Sequence, residues 1–258
     1  GLPARPVLEH DPLSAIAAAA SRNLAKTYFA LGATLPGAEI RREEGYTLCS
    51  GHLPHPLCNF AAELDLNPWA VRRLHERSLE RPVLYTYLCP GDRPEHADEL
   101  LLRAGFRERY AMPMMAAEAL SGDCQLDEAT DPAERAEVAR FMAEIFFARQ
   151  TKAVREEIAR ATAEGEGLRL FGHRIGKLLT AAAMVCESPG AVGLYNLCVT
   201  PAQRGRGHAG RIVAEVRRLA GQSGASVTLQ CEPRLVPLYE GLGFREIGTV
   251  RVFEPIRG

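Results

Sequence analysis

The sequence predicts an α/β (α+β) fold in which one architecture is laid down twice, and three observations carry that prediction. Gly105-Phe106-Arg107-Glu108 recurs 138 positions later as Gly243-Phe244-Arg245-Glu246. Each copy follows a short helical pattern (LLLRA, PLYEGL) and runs into an apolar strand-like stretch (RYAMPMM, IGTVRVF). Matched flanks at a domain-sized separation point to duplication. Helical and strand periodicities also alternate through the second half. Finally, the glycine-rich stretch VTPAQRGRGHAG, residues 199–210, stands between a strand pattern and a helix pattern.

Taken in chain order, the first half reads as a helix over 12–32, strands around 38–64, a strand over 83–88 and a closing strand over 105–115. Asn67-Pro68 has the chemistry of a helix cap followed by a first-turn proline. Glu118 to Pro132 carries Ser, Gly, Asp and Pro, so a linker and a first strand belong there. Asp131-Pro132 then caps a helix, 133–149, with Val138, Phe141, Met142, Ile145 and Phe146 at helical spacing. A second helix covers 152–163, and strands follow at 168–175, 177–186 and 192–199, with Gly172, Gly176 and Ser188-Pro189-Gly190 as turns. After the glycine-rich stretch a helix runs to about Ala220 on an apolar face of Ile212, Val213, Val216, Leu219 and Ala220. A strand at 226–230, a short helix at 235–242 and a last strand at 244–253 complete the chain.

Composition bounds what such a chain can be. Of 258 residues, 47% are apolar and 24% charged, enough for two domains of roughly 130 residues each. The formal net charge of −1, from 31 basic and 32 acidic residues, argues against nucleic acid or an anionic membrane as a bulk partner. Seven cysteines without a C-x-x-C pair fit reduced intracellular thiols, not a disulfide framework or zinc site. No metal site is expected; His52 and His55 read as turn residues among prolines. The run Ala15–Ala20 follows Glu9 and Asp11, which is not the order of a secretory signal. It is also too short to span a bilayer, and reads as a surface helix in a cytoplasmic protein.

The stretch at 199–210 satisfies two phosphate-binding patterns. Gly205, Gly207 and Gly210 spell the dinucleotide pattern G-x-G-x-x-G, and Glu232 stands 22 positions on, where a ribose-binding acid is expected. Arg204, Gly207 and Ala209 spell R-x-x-G-x-A. Both place backbone N–H groups and a helix dipole against an anion. The dinucleotide reading needs a strand leading straight into the first glycine and further βα units beyond the second strand. Here five residues intervene, and only one short helix and one strand remain after Glu232. A Walker-type loop fails because no Lys-Ser or Lys-Thr follows the glycines.

The order strand, two helices, three strands, Gly-loop helix, strand, helix, strand resembles the GNAT superfamily of N-acetyltransferases. The matches are LYNLCVTPAQRGRGHAGRIV and PLYEGLGF, and the resemblance covers about residues 122–256. It implies two tandem GNAT-like domains, 1–118 and 122–258, each a mixed, mostly antiparallel sheet flanked by helices. It also implies acetyl-CoA as cofactor. Main-chain groups of Leu197, Cys198 and Val199 would meet its pantetheine arm. Amides of Arg204, Gly205, Arg206, Gly207, His208, Ala209 and Gly210 would hold its diphosphate, with Arg204 and Arg206 adding charge.

Acetyl transfer to an amine requires a neutral amine, a polarised carbonyl and a stabilised leaving thiolate. By resemblance Tyr239 serves the thiolate, and an unperturbed phenol titrates near ~10. The family often places an acid on the strand before the loop, where this sequence has Tyr195-Asn196; Glu144, Glu187 and Glu232 read as surface carboxylates, and no base is assigned. Pro233 also departs from the family, many members of which have Asn there. Cys198 and Cys231 read as buried, inert thiols. Forty positions before Gly105 the first half has DLNPWAVR, without glycine, and Leu101 stands where the second half has Tyr239. It therefore reads as a degenerate copy in which Trp69, Tyr85 and Tyr87 pack in the core or wall the acceptor cleft. The expected function is an acetyl-CoA-dependent N-acetyltransferase acting on a small-molecule or peptide amine; the alternative is a non-catalytic acyl-CoA-binding protein of the same fold.

Overall fold

The computed structural model of the chain describes residues 12–80 and 82–257; Glu9 and Asp11, used above against a secretory signal, lie outside them. The first half contributes α1 (Pro12–Gly32), β1 (Glu39–Glu43), β2 (Tyr46–Ser50), β3 (Phe60–Ala62), α2 (Pro68–Ser78), β4 (Tyr85–Leu88), α3 (Ala97–Arg103) and β5 (Phe106–Ala117). The second contributes β6 (Asp127–Ala129), α4 (Pro132–Phe146), α5 (Lys152–Glu164), β7 (Leu168–Ile175), β8 (Leu178–Ser188) and β9 (Ala191–Val199). It continues through α6 (His208–Ser223), β10 (Ser226–Gln230), α7 (Val236–Gly241) and β11 (Arg245–Pro255). The caps are where the sequence puts them. Asp131 Oδ1 accepts from the amides of Ala133 and Glu134 at 2.9 and 3.1 Å, and Asn67 Oδ1 accepts from Ala70 N at 2.7 Å.

All eleven strands form one mixed sheet in the order β1-β2-β3-β4-β11-β5-β10-β9-β8-β7-β6, with helices against it. Only β3–β4 and β9–β10 pair in parallel, each across a helical crossover. Each closing strand sits beside the other half's preceding strand: β5 pairs with β10, and β11 with β4. The segments 1–118 and 122–258 are consecutive in sequence but interlocked in space.

The β5–β11 pairing preserves the 138-residue offset in detail. Met112 faces Val250, its own counterpart, and Arg107 faces Glu254 as Ala116 faces Arg245. Each strand carries one extra residue, Arg109 in β5 and Ile247 in β11, again 138 apart. Exchanging the halves therefore maps the pairing, bulges included, onto itself.

The helix α1 is not the surface helix its alanines suggest. Ala17, Ala19, Ala20, Leu24 and Ala25 are buried, because small side chains let the helix lie close on the sheet. It lies against strands of the second half. Asn23, fully buried, donates to Cys186 O at 2.8 Å and Ala191 O at 3.3 Å, and accepts from Tyr195 Oη at 2.7 Å. Gly193 is required beneath it: a Cβ there would stand 1.9 Å from Asn23 Oδ1. The largest core cluster accordingly mixes the halves, with Phe60, Tyr87 and Met114 packed in one body with Met142, Leu170 and Met184.

Candidate active site

The parallel pair β9–β10 holds together for only three residue pairs, Ala191–Ser226 to Gly193–Thr228. Beyond them both strands continue without pairing to each other, so the sheet splits into a wedge. Along Leu194–Val199, β9 keeps β8 on one edge, and its other edge has no strand partner among the described residues. Extended main chain with free N–H and C=O groups accepts another extended chain as a pseudo-strand. The ladder to β8 is also interrupted here. Met184 faces Tyr195 and Ala182 faces Cys198, so Ala183 alone opposes both Asn196 and Leu197. Asn196 takes φ 52 at this bulge, which re-aims the groups that follow it. Leu197, Cys198 and Val199 thus lie on the wall of the split.

From the end of β9 the chain makes a 3₁₀ turn, Pro201–Gln203, and enters the glycine-rich loop. Gly205 and Gly207 have φ 75 and 81, and Gly207 is the N-cap of α6 with no side-chain cap. A Cβ at either would meet nothing within 4 Å, so backbone handedness, not crowding, requires glycine there. Gly210 has the opposite reason: a Cβ there would lie 3.3 Å from Leu242 Cδ2, against the region of α7. The first-turn amides of α6 have no intrahelical acceptors, and with the dipole they form an anion site.

Two side chains of this loop behave differently from expectation. Arg204 Nε folds back to donate to Val199 O at 3.2 Å, while Arg206 and Arg211 stay exposed. His208 does not reach outward. Its ring is buried against His173, with centroids 5.1 Å apart, and Nε2 lies 3.4 Å from Gln203 Oε1. Burial, then His173 and the two arginines, lower its pKa, so its backbone N–H and not a charged imidazole is what it offers an anion.

On the far side of the split, Tyr239 projects from α7 and packs edge-on against Phe244 at 5.6 Å. It joins Leu197 and Val199 over the same apolar cluster, which contains Cys231. Burial first, and Cys231 second, push its pKa up to about 12. That is higher than the sequence suggested, and it leaves the phenol a firmly protonated hydrogen-bond donor. Cys198 is likewise pushed up to about 12 by burial, and Cys231 is raised for the same reason. Both are buried, inert thiols.

A family model described as "Acetyltransferase (GNAT) domain" matches residues 129–258, half of the chain. The chain belongs to the GNAT acetyltransferases. Solved structures share the fold across both halves. A GCN5-related N-acetyltransferase from Kribbella flavida superposes with a TM-score of 0.66 at 16% identity, over 96% of this chain and 97% of that one. A GCN5-related N-acetyltransferase from Sphaerobacter thermophilus gives 0.54 at 15%, over 94% and 93%. An acetyltransferase of the GNAT family from Colwellia psychrerythraea gives 0.52 at 13%, over 92% and 96%. At these identities the likeness is one of fold. No curated protein matches the sequence.

All three carboxylates considered from sequence are solvent-accessible. Glu144 is exposed on α4, Glu232 pairs with Arg234, and Glu187 pairs with Arg169 at 3.0 Å. Glu187 lies three residues along β8 from Met184, about 10 Å away at strand rise. The positions singled out in the first half are occupied differently. Asn67 caps α2, the counterpart of the uncapped α6, and Leu101 is fully buried. Tyr87 is core, but Trp69 is half exposed and Tyr85 lies under Arg109 at 5.1 Å; the expectation of core packing fails for Trp69 because α2 turns its first residues outward. Sequence reading missed the bulge at Asn196 and the tie through Asn23, neither of which has a local signal.

No group of three or more His, Cys, Asp or Glu among the described residues could hold a metal, and no helix among them is long and apolar enough to cross a membrane.

Proposed function

We propose that this GNAT protein is an acetyl-CoA-dependent N-acetyltransferase with a single active site in its second half. The observation that carries the reading is the split between β9 and β10, which runs from an uncapped helix N-terminus toward Tyr239. The residues fit acetyl-CoA: amides from Gly205 to Gly210 take the diphosphate, while that of Arg204 already donates to Pro201 O at 3.3 Å; Arg206 adds charge, and the open edge of Leu197–Val199 takes the pantetheine arm. Bound there, acetyl-CoA supplies an activated acetyl thioester. Bulge amides around Leu197 polarise a carbonyl presented to them. Tyr239 donates a hydrogen bond to sulfur as negative charge develops on it; with its pKa raised to about 12, it stabilises a thiolate (~8.5 for an ordinary thiol) without giving up its proton. With no carboxylate assigned as base, the amine's proton passes to water.

The first half is, in this reading, a degenerate GNAT copy whose helix cap and Leu101 replace the phosphate cradle and the tyrosine. The offset-preserving β5–β11 register supports that descent. Free thiols at all seven cysteines support a cytoplasmic setting. The missing base favours one competing reading, a non-catalytic acyl-CoA-binding protein. Thermal shift with CoA against NAD(H), followed by thiol release from acetyl-CoA with an amine panel, separates these. Stabilisation by CoA with turnover is expected. Stabilisation by CoA without turnover for any amine establishes the binding protein, and stabilisation by NAD(H) alone defeats both.

A further inference from the structure

A cavity of about 300 Å³ opens where the halves meet, beside the bulge of β9. Its walls come from both: Tyr28, Tyr87 and Tyr110 from the first half, Phe147, Met184 and Tyr195 from the second, with Asn196 of the bulge among the lining residues. Asn196 sets it one residue along β9 from Leu197, where the proposed donor site begins. The volume stands at the small end of the ~300–1,000 Å³ typical of ligand sites, room for about one ring and a short substituent.

What the lining lacks is as informative. Among the described residues, not one Asp, Glu, Lys or Arg lines the cavity. Its titratable groups are Tyr28, Tyr87, Tyr110, Tyr195 and His55, and burial moves all of them toward their neutral forms. Some of the polar atoms are already engaged. Tyr195 donates to Asn23, and Thr162 donates to Ile158 O at 2.8 Å. His55 Nδ1 accepts from Leu57 N at 3.2 Å, which fixes the proton of the neutral ring on Nε2. That nitrogen can donate a hydrogen bond but cannot collect a proton. An ammonium or carboxylate entering here would lose its hydration and find no counter-charge. A ring would find aromatic edges and faces on several sides.

We propose that this cavity receives the acceptor, and that the acceptor is a small aromatic amine taken up as the neutral base. This rests on the transferase reading above and supplies what that reading lacks. An arylamine is unprotonated at neutral pH, so no protein base is needed before attack. The amine nitrogen forms the bond to the acetyl carbon, the carbon–sulfur bond breaks with its electron pair going to sulfur, and the excess proton on nitrogen leaves to water.

The test uses the full chain, acetyl-CoA and four amines: 4-methylaniline, benzylamine, putrescine and kanamycin, with thiol release as readout and CoA thermal shift in parallel. For 4-methylaniline, kcat/KM is expected to exceed that of putrescine and kanamycin at least ~10-fold and to stay flat from about pH 6.5 to about pH 8.5. For benzylamine it should climb about tenfold per pH unit over the same range, following the neutral fraction. Phe147→Glu, on the segment after α4, should lower kcat/KM for 4-methylaniline about 10-fold and raise it for putrescine, leaving the acetyl-CoA KM unchanged; a CoA thermal shift equal to that of the unaltered protein controls for folding. Preference for the polycations, or indifference to Phe147→Glu while CoA still stabilises the protein, overturns this inference alone. Absence of CoA stabilisation overturns the transferase reading beneath it.

Discussion

Replacing Tyr239 by Phe removes one oxygen from the position at which the leaving sulfur would be met. The hydroxyl has no hydrogen-bond partner among the described residues, and the ring's contacts to Phe244 and the apolar cluster remain in the variant. The fold should therefore not register the change: stability stays within about 0.5 kcal/mol and the melting temperature within about 2 °C. Catalysis should register it strongly. A hydrogen bond to a charged group contributes about 1.5–3 kcal/mol, and if it forms only as the thiolate develops, kcat falls by about 10- to 150-fold. The acetyl-CoA KM should change less than about twofold, because the proposed ground-state contacts lie at the loop and β9. Thiol release at saturating amine, alongside a melting curve, gives both numbers. An unchanged kcat would remove Tyr239 from the chemistry. A large fall in melting temperature would make it a packing residue instead.

Asn23 ties α1 to the second half by three donated hydrogen bonds, to Cys186 O, Ser188 Oγ and Ala191 O, and one accepted from Tyr195. Asn23→Ala orphans those partners in a dry interior and should cost about 3 kcal/mol in urea unfolding; a loss below about 1 kcal/mol would show that the tie is dispensable. Alkali should unfold the protein progressively. Burial raises Cys49, Cys58 and Cys198 to about 12 from an ordinary thiol value, and Tyr239 to about 12 from its ordinary phenol value. The folded chain holds these protons more tightly than the unfolded chain, so their stabilisation is complete below about pH 8.5 and is lost as pH rises toward about 12. Melting temperatures that stay level from about pH 8 to about pH 11 would contradict that.

The elements were legible because their signals are local. Asp131-Pro132 and Asn67-Pro68 announce helices at those positions, and the face of Ile212, Val213, Val216 and Leu219 locates α6 against the sheet. The glycines at 205 and 207 were readable as a turn into α6 for a physical reason: a backbone that turns left-handed excludes most other residues. Leu197, Cys198 and Val199 could be placed only through resemblance, since nothing in their chemistry marks a strand edge left open. Three features escaped because they depend on what lies across the sheet. Which strand neighbours β10 is decided by the interlocking of β5 and β11, and two copies of Gly-Phe-Arg-Glu are compatible with either pairing. The bulge at Asn196 exists only relative to β8. The burial of α1, which reads as an alanine-rich surface helix, follows from Gly193 lying beneath Asn23, 170 residues away in the chain.

A crystal structure with CoA bound decides whether the second half holds the donor. The diphosphate should lie on the amides of residues 205–210, with the pantetheine arm along Leu197–Val199 in the split between β9 and β10 and its sulfur beside Tyr239. Density for the arm between β3 and β4, or a diphosphate held away from the start of α6, would overturn the assignment.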